Sequence, residues 1–361
     1  MTRERASLPG SRFAVRLTTG ERVLPRRQVH PARPATAAGR VPPAAAPALP
    51  ARTPPPMQGD DAPFHSGFVA IIGRPNVGKS SLCNRLVGEK VAIVSDKPQT
   101  TRTRIMAVLH LPGAQAVLVD TPGIHKPKDG LGRQMTAQAR EALSGIEVAC
   151  LIVDASSPAP GSNDRRAAHH VLAAECPRLL ILNKIDLVPE PERPARQAAY
   201  AALAPADAPF DEVLLVSATT GAGEAALIAA LRARLPEGPA YFPEDAITDR
   251  PEQFLAAELV REHALHLLRD EVPHAVAVTV EEWQARDSGV VYIGATLYVE
   301  RESQKGIVIG KGGAMLRAIG QAARQEIELR LGSPVYLDIR VKVKEDWRDR
   351  PGSLSILGLN E

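Results

Sequence analysis

The sequence predicts an α/β domain with a mostly parallel sheet and helices on both faces, followed by a smaller α+β domain. Three observations support this fold class. Apolar runs alternate with helix-compatible segments in the first part of the chain, which is typical of parallel strands covered on both faces. A glycine-rich loop joins the first of these strands to a helix, and the later part follows an α-β-β-α-α-β order. We therefore expect domains at residues 64–240 and 241–361, the second including a linker.

The composition is that of a protein able to bury a core, with 44% hydrophobic and 24% charged residues in 361. No uncharged apolar run approaches the roughly 18 residues that a membrane span needs. Three cysteines, far apart and odd in number, argue against a disulfide framework and against a paired-cysteine metal site.

Residues 1–63 have a different composition from the rest of the chain. The first 59 residues contain ten arginines, no lysine and two glutamates, and they are rich in alanine and proline. Such a segment cannot bury enough apolar surface to offset its ordering entropy, so we expect a disordered extension. Its arginine-rich, acid-poor character is also typical of an organellar transit peptide. Its low serine content favours a solvated extension or a start codon assigned too early.

The first predicted strand, Phe68 to Ile72, leads into the pattern G-x-x-x-x-G-K-S and then into a helix. In this context the pattern indicates a phosphate-binding loop, because glycines let backbone amides approach phosphate oxygens at a helix N-terminus. The lysine should reach the β- and γ-phosphates, and the serine hydroxyl should bind Mg²⁺. The loop consists of Gly73, Arg74, Pro75, Asn76, Val77, Gly78, Lys79 and Ser80.

Four further apolar runs each end in polar residues, and Ile105 to Leu111 is expected to pair antiparallel with the first of them. Ligands of open α/β sheets bind outside the carboxyl ends of the strands, so we expect these residues to meet in one crevice. The clusters are Asp120-Thr121-Pro122-Gly123, then Asp154, then Asn183-Lys184-Ile185-Asp186, and then Ser217-Ala218-Thr219.

The clusters after the later strands indicate guanine as the base. The Asp186 carboxylate can accept hydrogen bonds from the ring N–H and the exocyclic amine of guanine, and adenine would leave it unpaired. Sites built on such pairs reject the wrong partner by roughly 10⁴-fold or more. Lys184 can lie along the base, Asn183 can join this loop to the phosphate loop, and Ser217 to Thr219 can offer an amide to the guanine carbonyl. Together the clusters predict a GTP-binding switch.

The polar loop from Ser95 to Arg102 should supply a second Mg²⁺ ligand when a γ-phosphate is present. Thr100 and Thr101 are the candidates, and we favour Thr101. Asp120 should hold Mg²⁺ through a water, and Gly123 should offer its amide to the γ-phosphate. Ile124 cannot orient water, so we expect slow turnover. His125 is a possible substitute, although a solvent-facing histidine is the favoured interpretation.

The second domain should begin with a helix from Pro251 that buries Phe254, Ala257, Leu265 and Leu268. Strands are expected at 274–282, 290–300 and 335–343, with a helix through Leu331 between the last two. The G-x-x-G loop before that helix is typical of a type II KH domain, which clamps about four single-stranded nucleotides. The predicted RNA-binding residues are Gly310, Lys311, Gly312, Gly313, Arg317, Lys342 and Lys344.

These motifs closely resemble those of the bacterial Era GTPase family from about Gly67 to Leu359. The resemblance rests on Gly73 to Ser80, Gln99 to Arg102, Asp120 to Gly123, Asn183 to Asp186, Phe242 to Asp245, Thr248 to Arg250, Lys305 to Gly313 and Val341 to Lys344. Ser81, where the family usually has threonine, and the N-terminal extension depart from the family pattern.

The resemblance implies a GTPase that cycles between GTP and GDP, binds the 3′ end of small-subunit ribosomal RNA and assists maturation of the small ribosomal subunit. It also implies a cytoplasmic monomer with peripheral association with the inner membrane face. In such proteins the Asn76 position is associated with a monovalent cation, K⁺. The resemblance implies that Asn76, Lys79, Thr101 and Gly123 take part in GTP hydrolysis.

Two alternatives belong to other functional classes. A tRNA-modifying GTPase is disfavoured because the sequence from Gly358 to Glu361 lacks a terminal cysteine motif. An RNA-binding module with a catalytically inactive nucleotide site would show gaps in the four clusters, and the sequence shows none.

Overall fold

A computed structural model describes residues 63–127 and 129–359. Except for residue 63, the predicted N-terminal extension lies outside the described residues. All the described residues fall within one compact unit. Among them, no helix is both long enough and apolar enough to span a membrane.

The first domain contains a six-stranded sheet in the order β2-β3-β1-β4-β5-β6. Only β2 runs antiparallel, joined to β3 by the predicted turn at Pro112 and Gly113. The strands are β1 His65–Ile72, β2 Ile105–Leu111, β3 Ala114–Asp120, β4 Val148–Asp154, β5 Arg178–Asn183 and β6 Glu212–Leu215. Each predicted apolar run forms the strand expected of it, since both faces of the sheet are covered by helices.

Helices pack on the two faces of this sheet and create two apolar cores. One core includes Leu82 and Leu227 from helices α1 and α5, and the other includes Ala139, Val171 and Tyr200 from α2, α3 and α4. The helices are α1 Lys79–Val87, α2 Gly130–Glu141, α3 Ser162–Leu172, α4 Arg193–Ala201 and α5 Glu224–Arg232. The predicted α/β fold class is confirmed.

The second domain has the predicted α-β-β-α-α-β order, with the sheet order β7-β8-β9 and a parallel β8–β9 pair. Its elements are α6 Glu252–Leu267, β7 Ala277–Ala285, β8 Val291–Val299, α7 Glu302–Ile309, α8 Ala314–Leu331, β9 Val335–Val343 and α9 Pro351–Ile356. The predicted start of β7 at His274 is wrong, because Val272–Ala275 form a 3-10 turn before the strand.

In and directly after helix α6, Ala257, Leu265 and Leu268 are buried as predicted, whereas the prediction for Phe254 is wrong because its side chain is only half-buried. Leu259 and Val260 also lie in the core of the second domain. On another side of the helix, Arg261 and Glu262 are buried and bond to backbone groups of the first domain. The helix is therefore covered on both sides because it lies between the two domains.

The segment predicted as a linker follows the outer edge of β2. The Ile247 carbonyl accepts a 2.9 Å hydrogen bond from the Val108 amide, and the Met106 amide donates to the Asp249 carboxylate at 2.9 Å. Covering an edge strand in this way satisfies its backbone groups. The linker is thus part of the folded structure.

The C-terminal part of the chain packs against α2 of the first domain. Trp347 is fully buried in an apolar cluster with Leu131, Met135 and Leu354, and its indole N–H donates to the Ala275 carbonyl at 2.9 Å. The two domains therefore share an apolar contact that depends on one large aromatic side chain.

Replacing Trp347 with alanine should lower the free energy of unfolding by about 3–5 kcal/mol, the usual cost of removing a fully buried aromatic side chain. Urea unfolding followed by circular dichroism measures this loss. Trp283→Ala, which removes the same side chain from a half-buried strand position, is the control and should cost clearly less. Equal losses would contradict the proposed role of the cluster.

Candidate functional site

The loop from Gly73 to Ser80 joins β1 to α1 and folds back on itself. Gly78 has a φ of 93°, and a Cβ there would lie 2.3 Å from Nδ2 of Asn183, so only glycine fits. Lys79 is buried, and its Nζ donates to the carbonyls of Gly73 at 3.3 Å and Arg74 at 3.2 Å. The lysine therefore spans the concave side of the loop.

A buried carboxylate lies opposite this lysine. Burial lowers the pKa of Lys79, and the charge of Asp120 opposes that shift. Burial likewise raises the pKa of Asp120, while Lys79 and hydrogen bonds from Ser80 and Thr101 oppose it. Each charge thus stabilises the other in a region of low polarity.

Three oxygen-bearing side chains, Asp120 among them, converge beside this lysine. The Ser80 hydroxyl donates to Oδ2 of Asp120 at 2.7 Å and lies 2.9 Å from the Thr101 hydroxyl. Oδ1 of Asp120 is buried and has no hydrogen-bond partner among the described residues. The Thr100 hydroxyl points elsewhere, to the Lys97 carbonyl at 2.7 Å. Carboxylate and hydroxyl oxygens are the ligands that hard divalent cations prefer, so the donor set fits Mg²⁺.

The Asn183 side chain links the base-side loops to the phosphate loop. Its Nδ2 donates to the Val77 carbonyl at 2.8 Å, and its Oδ1 accepts from the Ala218 amide at 3.0 Å. Lys184 adopts a left-handed backbone conformation and donates to the Asn76 carbonyl and the Asp154 carboxylate. These bonds join the phosphate loop, the loop after β5 and the loop after β6 at one end of the sheet.

The other residues predicted to contact the base lie outside the cleft beside the phosphate loop. The cleft is lined by the phosphate loop, the loop from Ile93 to Thr101, and Gly123. Asp186 is exposed in the short 3-10 helix after β5, and the buried Ser217 accepts a hydrogen bond from the Thr220 amide. Asp186 and Ser217 to Thr219 do not line this cleft, although Asn183 connects both loops to it.

The side chains of several predicted site residues make contacts within the protein. The Arg74 guanidinium donates to the Asp164 carboxylate at 3.1 Å and to the Pro75 carbonyl at 3.4 Å. The Thr121 hydroxyl donates to the Ile71 carbonyl. Ile124 is fully buried in the apolar core, so its side chain does not belong to the site; only its amide contacts the loop, at the Gly73 carbonyl.

The interpretation of His125 as a solvent-facing residue is wrong. Its Nδ1 donates to the Gly123 carbonyl at 2.9 Å, and its Nε2 accepts from the Gln99 side-chain amide at 3.0 Å. The half-buried ring therefore joins the loop that carries Thr101 to the loop that carries Gly123. Gln99 lies in the motif from Gln99 to Arg102, but no contact of its side chain was predicted, because its partner His125 is 26 residues away in the sequence.

The second predicted site, the G-x-x-G loop, lies between α7 and α8. Gly310 has a φ of 71°, and a Cβ there would lie 2.7 Å from Cβ of Met315. Lys311 and Gly312 are exposed, and the Arg317 guanidinium donates to the Gly312 carbonyl at 3.4 Å. The loop thus presents backbone and positive charge to solvent.

The two other lysines predicted to bind RNA lie at the end of the last strand, Lys342 within β9 and Lys344 directly after it. Val341 and Val343 pack toward the helices, so Lys342 lies on the opposite face of the sheet, 3.8 Å from Glu281. Lys344 follows the strand and donates its amide to the Val299 carbonyl. The structure therefore separates Lys342 from the residues with which it was grouped.

Comparison with known proteins matches both domains. Residues 68–184 match the model of the 50S ribosome-binding GTPase family, and residues 271–348 match the KH domain model. GTPase Era of Heliobacterium modesticaldum is 47% identical over 298 residues, which cover 82% of this chain and 98% of that protein. GTPase Era of Carboxydothermus hydrogenoformans is 48% identical over 301 residues, with coverage of 82% and 99%. The chain belongs to the Era family of GTPases.

Solved Era structures share the same architecture. Era in complex with MgGDPNP and nucleotides 1506–1542 of 16S ribosomal RNA superposes with a TM-score of 0.78 at 40% identity. A single-residue variant of Aquifex aeolicus Era bound to GDP·AlF4⁻ gives 0.79, also at 40% identity. Each match covers 82% of this chain and 100% of the solved chain.

In this Era-family chain, Gly123→Ala should weaken the binding of both GTP and GDP by about tenfold, equivalent to about 1.4 kcal/mol. The added methyl group would lie 2.6 Å from the Pro75 nitrogen and would push the phosphate loop away. Titration with fluorescent nucleotides measures both affinities. Gly306→Ala, whose methyl group meets no atom within 4 Å, is the control and should bind normally. Unchanged affinity in Gly123→Ala would refute the close packing.

Proposed function

We propose that this chain is a GTP-hydrolysing switch that binds the 3′ end of small-subunit ribosomal RNA and assists maturation of the small subunit. The observation that carries this proposal is the 40% identity, at a TM-score of 0.78, to Era bound to MgGDPNP and 16S ribosomal RNA. The convergence of Ser80, Thr101 and Asp120 beside Lys79 disfavours an RNA-binding module with an inactive nucleotide site.

We propose Mg²⁺ as the cofactor, held by Ser80, Thr101 and Asp120. Its chemistry would be to neutralise charge on the phosphate oxygens. The unpaired Oδ1 of Asp120 and the adjacent hydroxyls support this choice of ligands. Thr101 is favoured over Thr100, since the Thr100 hydroxyl is bonded to the Lys97 carbonyl.

For hydrolysis, we propose roles for Asn76, Lys79, Thr101 and Gly123. Lys79 would stabilise charge on the β- and γ-phosphates, and the Gly123 amide would contact the γ-phosphate. The burial of Ile124 supports slow intrinsic turnover, because that side chain cannot reach a water in the cleft. Association of K⁺ with Asn76 stays a prediction of the family resemblance.

For base recognition, we propose that Asp186 pairs with guanine while Asn183, Lys184 and the loop Ser217-Ala218-Thr219 border the base. The hydrogen bonds of Asn183 to Val77 and Ala218 support this arrangement, because they hold the base-side loops against the phosphate loop. The contacts with the phosphates would come from two loops, Gly73 to Ser80 and Asp120 to Ile124.

Asp186→Asn should weaken GTP binding by about a hundredfold or more, because the amide meets guanine with one donor facing another. The same change should improve binding of xanthosine triphosphate, whose ring N–H and carbonyl complement an amide. Competition titrations with both nucleotides measure the exchange. Asp207→Asn, another exposed carboxylate of the same domain, is the control and should leave both affinities unchanged. Equal GTP affinity in Asp186→Asn would show that guanine is read elsewhere.

For RNA, we propose that Gly310 to Gly313 and Arg317 approach the sugar-phosphate backbone, with Lys342 and Lys344 as further contacts. The exposed Lys311 and Gly312 support the proposed contact of this loop with the RNA backbone.

We also propose domain limits of 64–240 and 241–361. The cytoplasmic location, the monomeric state and the peripheral association with the inner membrane stay predictions.

Replacing Lys311 and Gly312 together with aspartate should abolish binding of an oligonucleotide from the RNA 3′ end. Each lost phosphate contact should reduce the slope of log affinity against log salt by roughly 0.7 for a single strand. GTP binding should persist, since the nucleotide site is in the other domain. Arg166→Asp, exposed on α3, is the charge-reversal control. Unchanged affinity and salt slope in the double variant would exclude this loop as the RNA contact.

A further inference from the structure

The backbone on both sides of Thr101 is held by the KH domain. Upstream, the Thr100 carbonyl accepts a hydrogen bond from the Arg261 guanidinium of α6. Downstream, the Arg102 guanidinium donates to the carbonyls of Val276 and His274. The only residue between these two anchors is Thr101, whose hydroxyl lies 2.9 Å from that of Ser80.

Arg102 is inserted deeply into the KH domain. It is 3% exposed, and its guanidinium lies 5.5 Å from the ring centroid of Trp347, within the range of a cation–π interaction. Burial lowers its pKa to about 9, so the side chain remains charged near neutral pH. The charge is stabilised by two carbonyls and an aromatic face, so this anchor has a defined geometry.

Arg261 is the matching anchor on the other side. It is 2% exposed, and Glu258 orients its guanidinium by accepting from Nε at 2.7 Å and from a terminal nitrogen. Bidentate pairing with a carboxylate fixes the plane of a guanidinium. The same terminal nitrogen also donates a hydrogen bond to the Thr100 carbonyl. Glu258 belongs to the same helix and pairs the charge, whereas the bond to Thr100 crosses the domain interface and so requires docked domains.

We propose that Arg261 and Arg102 are positioning residues for GTP hydrolysis. By fixing the backbone of Thr100 and Arg102, they hold the Thr101 hydroxyl beside Ser80 and Asp120, where the proposed Mg²⁺ and γ-phosphate would be bound. The docked KH domain therefore sets the hydrolysis rate of the GTPase domain. This inference rests on the proposed function, and it assigns a role in hydrolysis to Arg261, a residue of the RNA-binding domain.

The test compares two arginines that cross the same domain interface. Arg261→Met keeps the length of the side chain and removes the donor to Thr100. Arg330→Met is the matched control, because Arg330 of α8 donates to the Lys90 carbonyl of the GTPase domain at 3.0 Å, away from Thr101. The readouts are kcat and KM for GTP, the Kd for GDP, and the Mg²⁺ concentration needed for half-maximal turnover.

We expect kcat of Arg261→Met to fall by about tenfold to a hundredfold, the effect of displacing a catalytic ligand by up to about 1 Å. The Mg²⁺ requirement should rise. The Kd for GDP should not change, because Thr101 acts only when a γ-phosphate is present. Arg261→Lys, which retains an N–H donor toward Thr100, should recover part of kcat, and Arg330→Met should retain all of it.

Arg102→Met provides an independent second variant if Arg261→Met fails to fold, and it should show the same loss of kcat with unchanged GDP affinity. Wild-type kcat in a folded Arg261→Met or Arg102→Met variant would overturn the inference. An equal loss in Arg330→Met would also overturn it, since general loosening of the interface would then be the cause. Absence of GTP turnover in the wild-type chain would instead reject the proposed function, and this inference with it.

Discussion

The nucleotide end of the molecule depends on one buried ionic arrangement, Asp120 opposite Lys79. Burial shifts the pKa of each group toward its neutral form, the charge of each opposes the shift of the other, and the Ser80 hydroxyl supplies a bond to the carboxylate. The phosphate loop between β1 and α1 leads to Lys79, and Asp120 ends β3, so these two segments meet at the site. The loops pack closely here, because a side chain at Gly78 or Gly123 would collide with Asn183 or Pro75.

Buried or half-buried charges are also paired at the interface between the two domains. Lys90 of the GTPase domain pairs with Glu262 and Glu326 of the KH domain, and Arg102 and Arg261 cross between the domains near Thr101. Paired charges give geometric specificity, and the cluster around Trp347 adds an apolar contact between the domains. The loop that carries Thr101 and the KH domain are therefore joined through directional contacts.

Much of the fold could be predicted because its signals are local. The strand from Ile105 to Leu111 and the strand from Val335 to Val343 have the predicted bounds, since apolar runs and their flanking turns are visible within a few residues. For α6 the sequence could not show the second buried side, because that side is covered by a domain distant in sequence. The prediction for His125 was wrong for a related reason: Ile124 and His125 are neighbours in a loop but face opposite environments, one the core and one the site.

The sequence by itself determined which chemistry is present: a glycine loop with Lys79 and Ser80, a carboxylate after β3, and a base-reading cluster after β5. Short-range spacing is enough for this, because each motif lies at the junction of one strand and the segment after it. Tertiary structure alone decided that Thr101 rather than Thr100 meets Ser80, that Lys342 lies apart from the G-x-x-G loop, and that Arg261 reaches the Thr100 carbonyl. These outcomes depend on which surfaces pack together, and packing brings together residues that are far apart in the chain.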